Sequence, residues 1–325
     1  MATMKDVAKK AGVAVGTVSR FVNNKGGIKE STRKKVEKAI AELNFQPNEA
    51  ARNFKTQQSK TIALIIPTIW HPFYSEFAYH VEREFSQKGY KTLLCNSQND
   101  AEREINYITM LEKNKIDGIV AITYSKVIDQ YISSTLPLVS IDRHFTEDVV
   151  TISSDNYAGG QLAAQVLVDR GCQHCAYMGS VSEIENESML RSKGFQEYLE
   201  KQRTKTTFLI LNEPVEDLER EIRQFLDVHP YIDGVFAMND KWAAIVMNVL
   251  KEMGRQVPED VQVIGYDGAR MSKDALLTHS TIRQPIEEMA KRSVTELLNI
   301  IAGSKVNSKV VLPVNYFEGN STKKP

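Results

Sequence analysis

Residues 3–23 read TMKDVAKKAGVAVGTVSRFVN, a pattern that predicts two short amphipathic helices joined by a tight turn. Thr3 and Asp6 fit the capping box that begins a helix, and Gly12-Val13 interrupts that helix. The second helix runs from about Val15 to Val22. Two such helices around a glycine turn are typical of the helix-turn-helix unit, whose second helix lies in the major groove of DNA.

The charge distribution separates this N-terminal head from the rest of the chain. A third helix, from about Ser31 to Leu43, closes the small core of the head. Residues 1–60 carry 13 Lys and Arg against 5 Asp and Glu, whereas the remaining 265 residues carry 28 against 36. A basic head on an acidic body indicates a module that binds a polyanion, although a solvated basic face without a partner has the same composition.

The second helix supplies the candidate DNA contacts. Arg20 can pair bidentately with guanine, a contact worth about 1–3 kcal/mol against a wrong base. Thr17 and Ser19 suit phosphate oxygens, and Val15 suits a thymine methyl group. The candidate DNA-binding residues of the head are Thr3, Val15, Gly16, Thr17, Ser19, Arg20 and Asn23.

The head resembles a known protein family. The runs Lys5-Asp6-Val7-Ala8, Thr17-Val18-Ser19-Arg20 and Glu42-Leu43-Asn44-Phe45 stand in the order and spacing found in the lactose/galactose repressor family. The resemblance continues through Pro47-Asn48 to Ala51-Arg52. It implies a cytoplasmic, sequence-specific transcriptional repressor that binds a pseudo-palindromic operator as a homodimer.

Residues 47–59 predict a marginal helix followed by a polar linker, because so short a helix is rarely stable in water without packing. The resemblance implies a hinge helix that orders on DNA and enters the minor groove. Phe54, where the family usually has Leu, would wedge into a base step, with Arg52 and Lys55 as phosphate or groove partners. The alternative is that Phe54 packs on the body below.

From Thr61 onward, strands alternate with helices, beginning with the buried run Ile62–Ile66. The expected fold class is α/β, with parallel sheets flanked by helices. The resemblance implies a two-lobed domain like that of periplasmic binding proteins. The expected ranges are 1–46 for the three-helix DNA-binding domain, 47–59 for the hinge, and 60–325 for the effector-binding and dimerisation domain. Lobe 1 takes about 60–152 and 285–310, and lobe 2 takes about 153–284 and 311–325.

Polar and aromatic side chains follow several of these strands. Ligands of open α/β sheets bind outside the carboxyl ends of the strands, and in a two-lobed protein those ends face one cleft. Asp, Asn and Arg bind vicinal hydroxyl groups and aromatic rings cover sugar faces, so we expect a small carbohydrate effector, although such residues also cap helices and form turns. The candidate effector-binding residues are Phe73, Tyr74, Asn99, Asp142, Glu185, Arg191, Asn239 and Asp267.

The resemblance extends to the cleft. It implies that Arg191, Asn239 and Asp267 contact the effector. Asn212-Glu213-Pro214 stands where the family often has an aromatic residue, so this wall departs from the pattern. Within the family, the run Gly265-Tyr266-Asp267-Gly268 is similar to that of sucrose-operon repressors.

The acidic residues Glu185 and Glu187 favour a neutral sugar over a phosphorylated ligand. An alternative is a global regulator of the same family that responds to a phosphoprotein or a sugar phosphate. A solute-binding protein of a transport system is a second alternative, opposed by the basic head and the charged N-terminus. An α/β enzyme is a third.

Several features argue against other classes of protein. Apolar residues are 42% and charged residues 25% of the chain, as in soluble globular proteins, and no apolar run is long enough to span a membrane. Cys172-Gln173-His174-Cys175 has zinc-like spacing but lacks a second pair of ligands, so we expect no metal. No nucleophile elbow, Walker loop or Gly-x-Gly-x-x-Gly motif is present, so we expect no cofactor and no enzymatic activity.

Overall fold

The computed structural model describes residues 2–23, 26–46, 58–125, 129, 136–145, 149–270, 272 and 274–324. The chain divides into two compact units, Met1–Ser59 and Lys60–Pro325. The hinge candidates Arg52, Phe54 and Lys55 lie outside the described residues. No described helix combines the length and the apolar character needed to cross a membrane.

The described residues of the first unit form three helices, α1 (Met4–Ala11), α2 (Val15–Val22) and α3 (Glu30–Glu42). The capping box predicted for α1 is present, because Thr3 Oγ1 accepts from the Asp6 amide while the Asp6 carboxylate accepts from the Thr3 amide. Gly12 ends α1 with a φ of +65°, a left-handed conformation that glycine adopts without strain. The buried core of the unit consists of Val7, Ala8, Ala11, Val18, Val36, Ala39 and Phe45.

The second unit alternates strands and helices, as expected. Its strands are β1 (Thr61–Ile66), β2 (Lys91–Asn96), β3 (Gly118–Ala121), β4 (Leu138–Ile141), β5 (Val150–Ser154), β6 (His174–Val181), β7 (Lys205–Asn212), β8 (Gly234–Ala237), β9 (Gln262–Asp267), β10 (Ser280–Arg283), β11 (Lys309–Leu312) and β12 (Asn315–Phe317). Its helices are α4 (Pro72–Gln87), α5 (Ala101–Lys113), α6 (Asn156–Asp169), α7 (Leu190–Gln202), α8 (Leu218–Val228), α9 (Asp240–Glu252) and α10 (Ile286–Ile301).

The strands form two six-stranded sheets, ordered β11-β5-β4-β3-β1-β2 and β12-β10-β9-β8-β6-β7. The paired strands are parallel in both sheets, except for β10 and β12, which pair antiparallel. In β1, Leu64 joins a core with α4 and α10, whereas Ile65 joins one with α5 on the opposite face. The predicted α/β class with helices on both sheet faces is confirmed.

The chain passes between the two sheets at three places: after β5, after β10 and after β11. The ends of β5 and β11 lie two residues beyond the expected lobe boundaries, which are at about 152/153 and 310/311. Val311 and Leu312 pair in register with Ser153 and Ser154, so all four residues belong to the first sheet. Parallel pairing therefore continues to the ends of both strands before the chain leaves the sheet.

Candidate functional site

A cleft of about 770 Å³ opens where the carboxyl ends of the two sheets face each other. The first sheet contributes the residues that follow β1, β3 and β4, including Thr68, Tyr124 and Asp142. The second sheet contributes those that follow β6, β7 and β8, including Ser182 and Glu213, and the end of β9. This is the location that open parallel sheets favour for ligands.

The structure brings together seven of the eight candidate effector residues, which are Phe73, Tyr74, Asn99, Asp142, Arg191, Asn239 and Asp267. Glu185, the eighth candidate, is exposed and is not among the residues that line the cleft. The turn that contains Glu185 is held by two hydrogen bonds, in which Ser182 Oγ and Asn186 Nδ2 both donate to the Ile184 carbonyl. The side chain of Ile184 is buried. Glu183 lines the cleft instead.

Arg191, on α7, is the organising cation of the cleft. Its Nε donates to Asn156 Oδ1 at 2.7 Å and its Nη1 donates to the Met238 carbonyl at 2.7 Å. The guanidinium carbon lies 3.6 Å from the centre of the Tyr266 ring, and Nη1 lies 3.8 Å from Asp267 Oδ1. These contacts hold a buried positive charge in one orientation before any ligand arrives.

Two buried carboxylates flank this cation, and each belongs to a residue with a left-handed backbone. Asp142 has a φ of +56° and Asp267 a φ of +103°. Gln284 Nε2 donates to Asp267 Oδ1 at 2.8 Å, whereas Asp142 Oδ1 is buried without a hydrogen-bond partner among the described residues. Strained, incompletely paired polar groups of this kind cluster at ligand sites.

Burial also changes the acidity of the two carboxylates. It raises the pKa of Asp142 to about 6, against the opposing effect of the Arg191 charge. Burial likewise raises the pKa of Asp267 well above its ordinary value, again opposed by Arg191. Both groups therefore gain from a ligand that donates hydrogen bonds to the ionised form.

Aromatic side chains form the apolar part of the cleft. His71 and Tyr74 lie with ring centres 5.0 Å apart, and Phe73 meets Tyr74 edge to face. Burial raises the pKa of Tyr74 and lowers the pKa of His71 to about 4, which keeps both rings neutral near pH 7. Aromatic rings bordering polar groups suit the two kinds of surface that a sugar presents.

Several further residues that were not candidates from the sequence also line this cleft. Tyr124 and Glu104 come from the first lobe, and Lys241 and Trp242 come from the second. Glu213, in the segment that departs from the family pattern, is also at the cleft and accepts a hydrogen bond from Ser180 Oγ at 2.7 Å. Position in the sequence could have identified Lys241 and Trp242, because both lie in the first turn of the helix that follows Asn239.

Carboxylates outnumber cations along this cleft. The acidic lining residues are Glu104, Asp142, Glu183, Glu213 and Asp267, and the basic ones are Arg191 and Lys241. An anionic ligand would be repelled by this excess of negative charge, whereas a neutral ligand with hydroxyl donors would be bound.

The head presents a second candidate site on α2. Val15, Gly16 and Arg20 are exposed, and Thr17 and Ser19 are half-buried. Ala14 provides no side-chain cap for this helix. The Thr17 amide donates to the Ala14 carbonyl, which leaves the amide groups of Val15 and Gly16 to a phosphate.

Two other candidate DNA-binding residues of the head, Thr3 and Asn23, form hydrogen bonds within the head itself. Thr3 Oγ1 donates to Asp6 Oδ2 at 2.7 Å, and Asn23 Nδ2 donates to the Ser19 carbonyl at 2.7 Å. Both side chains therefore stabilise helix ends.

Comparisons with known proteins match both units of the chain to one family. Residues 3–48 match the model of bacterial regulatory proteins of the lacI family, and residues 59–319 match that of periplasmic binding proteins and the sugar binding domain of the LacI family. The sucrose operon repressor of Streptococcus mutans is 35% identical, with 99% of each chain covered. The ribose operon repressor of Bacillus subtilis is 34% identical over 100% of this chain and 99% of its own.

A solved structure adds the same relationship in three dimensions. The periplasmic binding protein/LacI transcriptional regulator from Alkaliphilus metalliredigens, complexed with D-xylulofuranose, superposes with a TM-score of 0.72 at 31% identity, covering 82% of this chain and 100% of its own. The resemblance inferred from the sequence is thereby confirmed: the chain belongs to the LacI family of bacterial regulatory proteins.

Proposed function

We propose that this protein is a transcriptional repressor that binds a pseudo-palindromic operator as a homodimer in the cytoplasm and is released by a neutral sugar bound in its cleft. The observation that carries the proposal is that Asp142 Oδ1 is buried without a hydrogen-bond partner among the described residues, in the same cleft as the fixed guanidinium of Arg191. An acceptor and a donor so placed bind the two kinds of hydrogen-bonding atom in a hydroxyl group.

The sugar class follows from the chemistry of the cleft. Hydroxyl groups would donate to Asp142 and Asp267 and accept from Arg191, while Tyr74 and Trp242 would cover apolar ring faces. A volume of about 770 Å³ lies within the usual range for small-molecule sites and accommodates a mono- or disaccharide. The relatives named as sucrose and ribose operon repressors and the D-xylulofuranose complex support a carbohydrate over a sugar phosphate.

Sugar binding and operator binding would be coupled because one sugar molecule contacts both lobes. Tyr74 and Asp142 belong to the first lobe, whereas Arg191 and Asp267 belong to the second. A ligand that bridges them favours lobe closure, and a coupling of about 1–3 kcal/mol would change operator occupancy 5- to 150-fold. We assign no chemical step to the cleft, so the bound sugar would dissociate without having reacted.

DNA recognition would use the exposed face of α2. Arg20 is the side chain with the chemistry to read guanine, and Thr17, Ser19 and the uncapped helix start would position the head on phosphates.

The proposal is tested by fluorescence anisotropy of the full chain on DNA fragments from the region upstream of its own gene. We expect specific binding over bulk competitor DNA, and a 5- to 150-fold loss of affinity on adding sucrose or D-ribose. Glucose 6-phosphate serves as the anionic control and is expected to have no effect. Failure to prefer any fragment, or release by the sugar phosphate alone, would contradict the proposal.

One variant tests whether the two sites are separate. Asp267→Ala should bind the operator normally but no longer respond to the sugar. A variant that the sugar still releases as it does the parent would remove Asp267 from the effector site.

A further inference from the structure

Asp240 lies between two cleft residues, Asn239 and Lys241, but is not itself among the residues that line the cleft. Its side chain points instead into a convergence of three hydrogen-bond donors. Oδ1 accepts from Thr281 Oγ1 at 2.6 Å and from His279 Nε2 at 2.9 Å. Oδ2 accepts from the backbone amide of Gly268 at 2.8 Å.

The surrounding glycines show that this arrangement is built into the fold. Gly265 faces Asp240 from β9, and a Cβ at that position would overlap Asp240 Oδ1. Gly268 has a φ of +61°, and a Cβ there would overlap the Arg283 side chain. A larger residue at either position would displace the carboxylate or the turn that it holds.

That turn is the segment that orients Asp267. Gly268 directly follows Asp267, whose φ of +103° is uncommon for a residue with a side chain. A conformation of this kind persists only where surrounding contacts enforce it. Asp240 supplies one such contact on the C-terminal side, and the amide and side chain of Gln284 supply the others by donating to the Asp267 carbonyl and carboxylate.

We propose that Asp240 is a positioning residue for the effector site: through the Gly268 amide it holds the Asp267 carboxylate beside Arg191, in the orientation that meets a sugar hydroxyl. The assignment rests on the proposed function in so far as Asp267 contacts the sugar. Asp240 is well suited to the task because it begins α9, so its backbone is fixed by the helix and by the Asn239 cap, whose Oδ1 accepts from the Trp242 amide at 3.0 Å.

The first test needs no ligand. Crystal structures of the parent and of Asp240→Ala would be compared at the Asp267 backbone and at the Arg191–Asp267 pair. We expect Asp267 to leave the positive-φ region and its carboxylate to move away from Arg191 Nη1, which lies 3.8 Å away in the parent. An Asp267 that keeps its conformation in a folded variant would overturn the proposal.

The second test is a double-mutant cycle on sugar affinity, measured by isothermal titration calorimetry with sucrose and D-ribose as probes. Asp240→Ala alone should weaken binding roughly tenfold or more, as loss of supporting contacts does in preorganised sites. In the Asp267→Ala background, the same change should weaken binding by less than about twofold, because the group that Asp240 positions is already absent. Equal losses in both backgrounds would mean that Asp240 acts on general stability, and would overturn the proposal.

Two further variants keep the result interpretable. Asp240→Asn is nearly isosteric and replaces one acceptor with an amide, so it serves if the alanine variant does not fold. Asp217→Ala is the matched control, since Asp217 caps α8 by accepting from the Arg220 amide outside the cleft, and should leave sugar affinity unchanged. If neither probe binds the parent, the proposed effector class is wrong, while the crystallographic test of Asp240 still stands or falls by itself.

Discussion

The surface of α2 in the head and the cleft of the body use polar side chains in opposite ways. Arg20 is exposed, with its surroundings left to solvent. Arg191 is buried and fixed by Asn156, Met238 and the Tyr266 ring. The side chain that we propose to read DNA is therefore exposed, whereas each polar group in the cleft depends on its neighbours.

The largest expected effect tests that mutual dependence. Arg191→Ala would leave the buried carboxylates of Asp142 and Asp267 without their cation, and breaking a buried pair typically costs about 3–5 kcal/mol. We expect the free energy of unfolding to fall by this order, together with loss of sugar binding, in urea titrations and calorimetry. Arg220→Ala is the control, because this arginine is mostly exposed in its ion pair with Glu221 and should change stability little. Equal effects of the two substitutions would remove the contrast between the sites.

The next prediction tests the independence of the head. Arg20→Ala should reduce discrimination between operator and bulk DNA by about 1–3 kcal/mol for each half-site, with sugar affinity unchanged. Competition anisotropy and calorimetry measure the two quantities on the same protein. Lys34→Ala, an exposed charge on α3, should instead weaken operator and bulk DNA alike. Loss of sugar binding in Arg20→Ala would show that the two sites are not separate.

Asp142 provides a further test of the comparison, because burying its ionised carboxylate lowers the free energy of unfolding. The Asp142 carboxyl has an ordinary pKa of 3.8 and a pKa of about 6 in the folded chain. Folding is therefore penalised above about pH 6 and unaffected below about pH 4. Asp142→Asn should raise the free energy of unfolding at pH 8 by roughly 1–3 kcal/mol while weakening sugar binding. A variant that is less stable than the parent at pH 8 would contradict this account.

The smallest expected effect is the pH dependence of sugar affinity. Asp142 and Asp267 both have raised pKa values, so they take up protons as the pH falls from 8 to 5. The protonated forms accept hydroxyl donors less well, and affinity should fall about tenfold or more over this range. Calorimetry at four pH values would show the change, and operator affinity without sugar serves as the reference. A flat profile would mean that the sugar does not contact these carboxylates.

The sequence predicted the elements of both units well where the signal was local. The capping box at Thr3 and Asp6, the glycine that ends α1 and the apolar run of β1 are patterns within a few residues. Elements defined by distant partners were less visible. The sheet assignment of β11 depends on pairing with β5, more than 150 residues earlier, so tertiary contacts fix the residue at which the chain leaves the first sheet.

The cleft shows the same division. Arg191, Asn239 and Asp267 were identified because they follow predicted strands and stand in family motifs, whereas Glu185 was chosen for its position after a strand alone and does not line the cleft. Asp240 and Trp242 had ordinary helical surroundings in the sequence. Their placement behind and within the cleft wall became evident only from the neighbours that folding brings to them.

Local chemistry in the chain determined that a basic helix-turn-helix head precedes a two-lobed α/β body, because capping, periodicity and charge act over a few residues. The tertiary structure alone decided which carboxylates are buried near Arg191, that Asp142 Oδ1 has no hydrogen-bond partner among the described residues, and that Asp240 supports Asp267 from behind. These properties arise from desolvation and from hydrogen bonds between segments far apart in the chain, and no local pattern encodes them.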